Sequence, residues 1–390
     1  MNNLFDFATS ELSQDAVICW CVNWFNDDSN PALKKMSTEI IEKIAPISAS
    51  EIRSVQIKRQ LSKKVPDGKG KDIVVKIDVL LIINKSIAVI IEDKTNTSEH
   101  SEQIARYKIG LKKMIDDCII STDELDNSAP EIITVYWKTG FFTDYDRAVD
   151  ADKEIRRDDL ITILEPYKNE HIIIREYLIY LDELHEKEQR EKQYWIINTK
   201  SKSIWDKYLY LSWSHVGQYE LLRSCFPMKE NSIIKGKFDE PNQVYCGTSS
   251  GRPWTEMKIK YGSYSGQTRN NQREYSIFWR VDTANNGPYL SLRLYDHRDR
   301  EQISDEQKQE HCDLFVKYRK IISDIIHETS NSLIEEKELT DRNNMNYREA
   351  SFFSWNIDKE LESHKADQSH LIETIRHINE EFLNRIEKDK

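Results

Sequence analysis

Two neighbouring apolar segments, residues 73–83 and Ile87–Lys94, are separated by the polar residues 84–86. Short runs rich in Ile and Val on either side of a polar turn predict a β-hairpin. The same reading of apolar periodicity predicts the other elements of the first half of the chain. These are helices at 4–25, Pro31–Ile44, 98–114 and 169–190, strands at 51–61 and 131–137, a turn at 62–71, and a short apolar stretch at 161–164.

This order of elements predicts an α/β fold for residues 1–190, with a mixed central sheet flanked by helices. Charge replaces apolar periodicity between Lys187 and Ser203, so we place a linker at residues 191–204. The pattern then changes, and we interpret residues 205–390 as an α+β domain for substrate or partner recognition. Its predicted elements are an aromatic helix at 205–226, strands at 257–261, 274–282 and 289–295, and amphipathic helices at 304–329 and 368–386.

Charged residues interrupt both strands of the hairpin. They are Asp78 in the first strand and Glu92, Asp93 and Lys94 at the end of the second. Charges are rarely placed in strands this apolar unless they are paired or bind a metal ion. Side chains alternate along a strand, so Glu92 and Lys94 point the same way. The pattern indicates a polar site at this end of the hairpin.

The distance between Asp78 and Glu92 depends on the length of the turn. If residues 84–86 form a three-residue turn, Ile83 pairs with Ile87 and Asp78 lies opposite Glu92, with Cβ atoms roughly 4.5–5.5 Å apart. Two carboxylates this close repel each other unless a proton or cation lies between them, and their oxygen ligands suit Mg²⁺ or Mn²⁺. A two-residue turn would shift the register and turn Asp78 to the other face.

The overall charge excludes a general attraction for nucleic acid. The formal net charge is −11, so a polyanion would have to bind at a local basic patch or through a metal ion. The six cysteines show no CxxC spacing, and we expect reduced thiols in a cytoplasmic protein. No apolar run reaches the length of a membrane span and no signal peptide is recognisable, so we expect neither membrane association nor export.

Three features then coincide: Asp78 in one strand, Glu92-x-Lys94 at the end of the next, and a following helix with Gln103-x-x-x-Tyr107. Together they resemble the PD-(D/E)XK nuclease superfamily. The N-terminal phrase ELSQDAVICWCVNW is similar to a bacterial branch of that superfamily. The resemblance covers residues 2–190 and implies a restriction-endonuclease-like core.

Other matches to the motif are explained in different ways. The literal Pro66-Asp67 pair precedes Gly68 and is typical of a turn, whereas Asp78 follows an isoleucine. Glu-x-Lys also occurs at residues 256–258 and 335–337. We attribute both copies to chance in a chain rich in these residues.

The resemblance implies roles for the hairpin charges. Asp78 and Glu92 would hold Mg²⁺ together with the backbone carbonyl of Asp93, and Lys94 would orient the attacking water, helped by a pKa that burial lowers. The expected reaction is phosphodiester hydrolysis that leaves a 5′-phosphate. The alternative is a salt-bridged strand end at which Lys94 pairs with the acids and nothing is catalysed. Buried ion pairs are a poor route to stability, which favours the catalytic interpretation.

Four further residues have a functional and a structural interpretation each. Glu11 is a candidate for an additional metal contact through water, but acidic residues are also favoured at helix N-termini. Gln103 and Tyr107 lie one helical turn apart and would reach the site or a nucleotide, with core packing as the alternative for Tyr107. His100 is a candidate phosphate contact, with an ordinary surface histidine as the alternative.

Two local segments are basic despite the acidic total. Residues 51–76 contain eight basic and three acidic residues, a net charge of +5, and a loop here would contact a phosphate backbone. A solvated turn is the alternative. In residues 252–273 cations alternate with aromatic residues, which suits single strands, but we favour a half-buried sheet. The candidate nucleic-acid-binding residues are Lys63, Lys64, Lys69, Lys71 and Tyr107.

The sequence therefore predicts a Mg²⁺- or Mn²⁺-dependent nuclease, with DNA as the favoured substrate. The C-terminal domain is expected to contact the substrate, a protein partner or a second copy of the chain. Members of this superfamily often act in restriction or phage defence. Two alternatives stay open: a non-catalytic nucleic-acid or protein interaction module on the same fold, and an effector that is silent until a ligand or partner binds its C-terminal half.

Overall fold

A five-stranded mixed sheet, in the order β1-β2-β3-β4-β5, organises the first part of the chain in the computed structural model. β1 with β2 and β2 with β3 are antiparallel, whereas β3 with β4 and β4 with β5 are parallel. The strands are β1 (Val55–Pro66), β2 (Asp72–Ile83), β3 (Ile87–Lys94), β4 (Glu131–Lys138) and β5 (Lys153–Arg156).

The chain divides into two compact units. The first comprises Met1–Phe142 and Asp146–Gln189, and the second comprises Thr143–Tyr145 and Arg190–Lys390. The structure describes all residues except 1–2, 9, 67–71, 96, 98–102, 122, 126–129, 195–212, 229–232, 250–251, 265–272, 285–286, 300, 330–333, 337–347, 364–367 and 389–390.

Helices cover both faces of the first sheet, and sequence signals explain where two of them begin. Ser10 caps α1 by accepting a hydrogen bond from the backbone N–H of Ser13, and Asn30 caps α2 just before Pro31. One face packs against α1, α2, α5 and α6, and the other against α3. The helices are α1 (Glu11–Asn23), α2 (Pro31–Ile44), α3 (Gln103–Asp116), α4 (Asp144–Ala148), α5 (Arg157–Leu164) and α6 (Ile172–Tyr194).

The predicted three-residue turn and its register are confirmed. Asn84 and Lys85 have φ angles of 52° and 58°, and Ile83 pairs with Ile87. Asparagine adopts this left-handed conformation more readily than most residues, and the twist of such turns fits a hairpin. Asp78 is therefore the next residue after the last β2–β3 pair, Val79 with Ile91.

The predicted turn at 62–71 is wrong for residues 62–66, because β1 continues to Pro66. Its polar residues alternate with Leu61 and Val65, which pack toward α3. The helix predicted at 4–25 is divided, since short 3₁₀ turns precede and follow α1. The stretch at 161–164 is the end of helix α5, and β5 and α4 had not been predicted.

An antiparallel sheet with helices forms the second unit. Its strand order is β10-β12-β9-β8-β7-β6, with β11 also paired to β9. The predicted hairpin of β8 and β9 is confirmed, with Ala284 paired to Gly287. The strands are β6 (Val244–Ser249), β7 (Arg252–Gly262), β8 (Tyr275–Ala284), β9 (Gly287–Asp296), β10 (Ile334–Glu336), β11 (Glu349–Ser351) and β12 (Phe353–Asn356).

The helices of this unit are α7 (Trp213–Cys225), α8 (Asp305–Thr329), α9 (Ile357–Ser363) and α10 (Gln368–Lys388). The start predicted for the aromatic helix, at residue 205, lies outside the described residues, as does most of the predicted linker. The buried face of α10 begins at Leu371 and includes Ile375, Ile378 and Phe382. The mixed α/β character of the chain is confirmed. Within the described residues, no helix is both long and apolar enough to span a membrane.

Candidate active site

The candidate site lies where β2 separates from β3. The β2–β3 ladder ends at the Val79–Ile91 pair, whereas β2 stays paired with β1 as far as Asp72. β3 instead continues beside β4 to Lys94. The two pairs of strands therefore form a fork, with Asp78 on one arm and Glu92, Asp93 and Lys94 on the other.

The ladder between β1 and β2 is irregular at the same point. Gln60 has a φ of 57° and, unlike its neighbours, is not paired with the opposing Asp78. Side chains of odd-numbered residues point to opposite faces of the sheet before and after Gln60. Ile57 packs in the core under α1 and α2, whereas Leu61 packs in the core under α3. In a regular strand these residues would share a face, so the irregularity at Gln60 reverses which face of β1 is buried under α3.

Four groups predicted from the hairpin meet at this fork. The backbone N–H of Asp93 donates to Asp78 Oδ2 at 3.4 Å. The Lys94 ammonium contacts the Glu92 carboxylate and donates to the backbone carbonyl of Asp93 at 3.2 Å. Tyr107, from α3, is close enough to Glu92 to lower its pKa. Lys94 thus joins Glu92 to the Asp93 carbonyl, the group predicted as a third metal ligand, and the Asp93 backbone joins this cluster to Asp78.

Helix α1 supplies two more carboxylates. Glu11, the first residue of α1, accepts a hydrogen bond from the Thr97 hydroxyl and is close enough to raise the pKa of Asp78 and of Lys94. Asp15, one turn later, accepts a hydrogen bond from Gln60 Nε2 at 2.6 Å, and the same nitrogen lies 3.5 Å from Asp78 Oδ1. Asp15 is only 1% exposed.

Burial dominates the electrostatics of these carboxyls. Burial, together with the charge of Asp78 and against the effect of Lys94, raises the pKa of Glu92 to about 8. Burial, followed by the charge of Asp78, raises the pKa of Asp15 to about 6. The pKa of Asp78 is raised by burial, and that of Asp93 is raised well above its usual range by burial and then by Asp15. Each carboxyl resists ionisation because burial removes water from the charged form, and neighbouring negative charges add to this effect.

Lys94 departs from the expectation that burial would lower its pKa. Burial does act in that direction, but the carboxylates of Glu92, Glu11 and Asp78 together hold the pKa of Lys94 above its usual value. The side chain is therefore a charged ammonium in this structure. It donates protons in hydrogen bonds and stabilises negative charge, and does not act as a base in this state.

The side chain of Asp93 points away from Glu92, toward α1. It accepts a hydrogen bond from Gln14, whose amide oxygen accepts one from the Thr139 hydroxyl after β4. Asp93 Oδ2 is buried without a hydrogen-bond partner. This chain of contacts connects the ends of β3 and β4 to α1, which supports the position of the Asp93 carbonyl.

No family model, curated protein or solved structure matches the chain at a significant level. The chemistry of the site is therefore judged from its own residues. In the described part of the chain, no group of three or more His, Cys, Asp or Glu side chains is arranged to hold a metal ion. The candidate donors at the fork are instead two side-chain carboxylates, Asp78 and Glu92, and the backbone carbonyl of Asp93.

This donor set fits Mg²⁺ or Mn²⁺ by its chemistry. All three donors are oxygen atoms, and Mg²⁺ commonly keeps several waters beside one or two carboxylates. The raised pKa values of Asp78, Glu92 and Asp15 mean that a divalent cation would release the repulsion among them. The Lys94 ammonium already makes the contacts with Glu92 and the Asp93 carbonyl that a cation would make.

The remaining predicted residues are distributed around the fork. Gln103 begins α3, one turn before Tyr107, and is half-buried. Lys64 is exposed on β1, whereas Lys63 forms an ion pair with Asp117 at 2.5 Å. Lys69, Lys71 and His100 lie outside the described residues.

Sequence reasoning missed a buried ion pair on the neighbouring strand. Lys138 Nζ lies 2.7 Å from Asp146 Oδ2, and the Tyr136 hydroxyl donates to the other oxygen at 2.5 Å. All three side chains are almost completely buried. In the parallel ladder Tyr136 lies beside Glu92 and Lys138 beside Lys94. The spacing Tyr-x-Lys at the end of a buried strand was the available signal.

The second Glu-x-Lys copy, in β7, belongs to an ion-pair network. Lys258 contacts Asp239 and lies 3.3 Å from Glu256, which is also 3.7 Å from Arg280. Arg280 in turn stacks over the Trp254 ring at 4.1 Å. These described contacts balance cations with acids on a half-buried sheet.

Proposed function

We propose that the first unit is a restriction-endonuclease-like core and that the chain is a Mg²⁺- or Mn²⁺-dependent nuclease acting on DNA. The observation that carries the proposal is the excess of carboxylates over cations at the fork. Asp78 and Glu92 converge there on the Lys94 ammonium, and Gln60 joins Asp15 to Asp78. Such an arrangement is costly to stability and is explained by a requirement for a metal ion.

The residues of the fork have distinct roles in this proposal. Asp78, Glu92 and the Asp93 carbonyl would hold the ion, and Lys94 would orient the water and stabilise charge that develops on the phosphate. The chemistry supplied by the bound ion is polarisation of the phosphoryl oxygen and a lower pKa of its water. Tyr107 lies beside Glu92 and lowers its pKa, and Glu11 adds negative charge near Lys94.

A salt-bridged strand end without catalysis is the competing explanation, and the contact between Lys94 and Glu92 is what it would require. Lys94 does not neutralise all of the neighbouring carboxyls, however, and the pKa values of Asp15 and Glu92 are raised by burial and then by the charge of Asp78. A purely structural ion pair between Lys94 and Glu92 would be equally stable without the additional buried acids around it. The imbalance therefore favours the nuclease.

The setting of this activity is also a proposal. A nuclease of this kind would act on DNA in the cytoplasm, in restriction or phage defence. The second unit would contact the substrate, a protein partner or a second copy of the chain.

Cleavage of supercoiled plasmid and of labelled oligonucleotides, with Mg²⁺, Mn²⁺ or chelator, tests the proposal. We expect metal-dependent cleavage by the full chain and a loss of roughly 10²-fold or more in Lys94→Ala and Asp78→Asn. The control is Lys108→Ala, which removes an exposed lysine of α3 that pairs only loosely with Asp152. Equal cleavage by all four proteins would refute the assignment of the site.

A further inference from the structure

The part of β1 and β2 beyond the fork is a two-stranded ribbon with two different faces. Six residue pairs, from Leu61–Ile77 to Pro66–Asp72, extend it past the end of the β2–β3 ladder. At ~3.3 Å per residue the ribbon is about 20 Å long. Leu61, Val65, Val75 and Ile77 pack toward α3 on one face.

The other face of the ribbon, which we call the open face, is exposed. Side chains alternate along a strand, so the residues between the buried ones point to it. Every one of these with a described side chain is exposed, and Val74 is 64% exposed. They are Ser62, Lys64, Asp72, Val74 and Lys76.

Ion pairing distinguishes the lysines of the two faces. Lys58 and Lys63 point toward the α3 side, where Glu124 and Asp117 each lie 2.5 Å away. Lys64 and Lys76, on the open face, form no ion pair with any residue that the structure describes. Arg59 is exposed at the base of the ribbon and is close enough to Asp15 to lower its pKa. The open face is thus a local positive surface on a protein with a net charge of −11.

We propose that the open face of this ribbon lies in the major groove of B-form DNA and delivers the duplex to the fork. The inference rests on the proposed function, because Asp78 directly continues the strand that carries Lys76. The major groove admits a two-stranded β-ribbon, and lysines there contact guanine or the flanking phosphates. An exposed valine among polar residues suits the methyl group of thymine.

The shape of the major groove distinguishes this proposal from simple electrostatic attraction to phosphates. A-form RNA has a deep, narrow major groove that side chains cannot read, although its phosphates carry the same charge. Binding of the full chain is measured by fluorescence anisotropy, in chelator, with a DNA duplex, an RNA duplex of the same sequence and the DNA single strand. We expect binding of the DNA duplex to be at least about tenfold tighter than binding of either other ligand. Equal affinity for DNA and RNA duplexes would overturn the proposal.

Paired variants with the same change in charge identify the face. Lys64→Ala with Lys76→Ala should weaken DNA binding about tenfold and reduce the slope of log K against log salt concentration by about 2. Lys58→Ala with Lys113→Ala also removes two lysines, but from the α3 side of the ribbon, where they pair with Glu124 and Asp117, and should change binding little. Equal losses in both pairs, or no loss in the first, would contradict the open face as the contact surface.

The two proposals fail separately. Ribbon-dependent binding without metal-dependent cleavage would refute the nuclease and support the open face. The opposite result is metal-dependent cleavage by the wild type together with normal DNA binding by the Lys64→Ala, Lys76→Ala variant. It would refute the open face and support the nuclease.

Discussion

At the scale of single residues, the balance of charge at the fork explains the chemistry proposed for it. Asp78 and Glu92 face the same lysine, and Asp15 reaches Asp78 through Gln60. Lys94 stays protonated because these acids surround it. A divalent cation would take over the contacts of the ammonium and free Lys94 to act on water or phosphate.

The raised pKa of Glu92 predicts how stability depends on pH. The folded protein binds a proton at Glu92 up to pH of about 8, whereas the unfolded chain releases it near 4.5, so the folded state holds more protons between these values. The free energy of unfolding of the metal-free protein should therefore fall, relative to Glu92→Gln, as pH rises from about 4.5 to 8. Urea unfolding of both proteins in chelator, at several pH values across this window, measures the difference.

Metal ions should reverse this trend, because protons and Mg²⁺ compete for the same oxygens. Stabilisation of the wild type by Mg²⁺ should be greater at about pH 8 than at about pH 5, and Glu92→Gln should lose most of it. If the difference in the free energy of unfolding between the wild type and Glu92→Gln did not depend on pH, the raised pKa of Glu92 would be contradicted.

At the scale of elements, the ribbon depends on a close approach between α3 and β2. A Cβ built on Gly110 of α3 would lie 2.6 Å from Val75 Cγ1. Valine is stiff at this position, so the helix and the strand would have to move apart.

We expect Gly110→Ala to destabilise the protein by about 1–3 kcal/mol, despite the better helix propensity of alanine. Urea unfolding measures the change. Val75→Ala combined with Gly110→Ala should recover part of the loss, since the smaller side chain makes room. If Gly110→Ala alone were more stable than the wild type, the close packing of α3 against β2 would not be required.

Much of the fork could be predicted from the sequence because local signals determine it. The asparagine in the turn and the apolar periods on both sides predict the register in which Ile83 pairs with Ile87, although the ladder ends one pair before Asp78 would lie opposite Glu92. The reversal of faces at Gln60 could not be predicted, since no residue type announces a positive φ there. β1 was predicted too short for a related reason: a ribbon buried on one face by a distant helix resembles a polar loop in sequence.

At the scale of the whole molecule, the chain does not divide into two continuous segments. Thr143–Tyr145 belong to the second unit although they lie within the sequence of the first. Asp144 is completely buried and accepts hydrogen bonds from the Tyr219 hydroxyl and the Val244 backbone N–H, both at 2.6 Å, and from Arg223. No composition shift marks such a short segment.

Asp144→Ala should therefore destabilise the second unit, by about 3–5 kcal/mol, because it leaves the Arg223 guanidinium without its buried partner. Asp150→Ala, an exposed aspartate six residues later, should change stability by less than about 0.5 kcal/mol. Urea unfolding of the full chain compares the two. Equal effects would mean that the buried contacts of Asp144 contribute nothing.

Calorimetric titration of Mn²⁺ into the full chain tests most directly whether a divalent cation binds at the fork. We predict binding by the wild type and affinity at least about tenfold lower in Asp78→Asn, which removes one charged oxygen ligand. No binding with all the acids intact, or equal binding by both proteins, would contradict it.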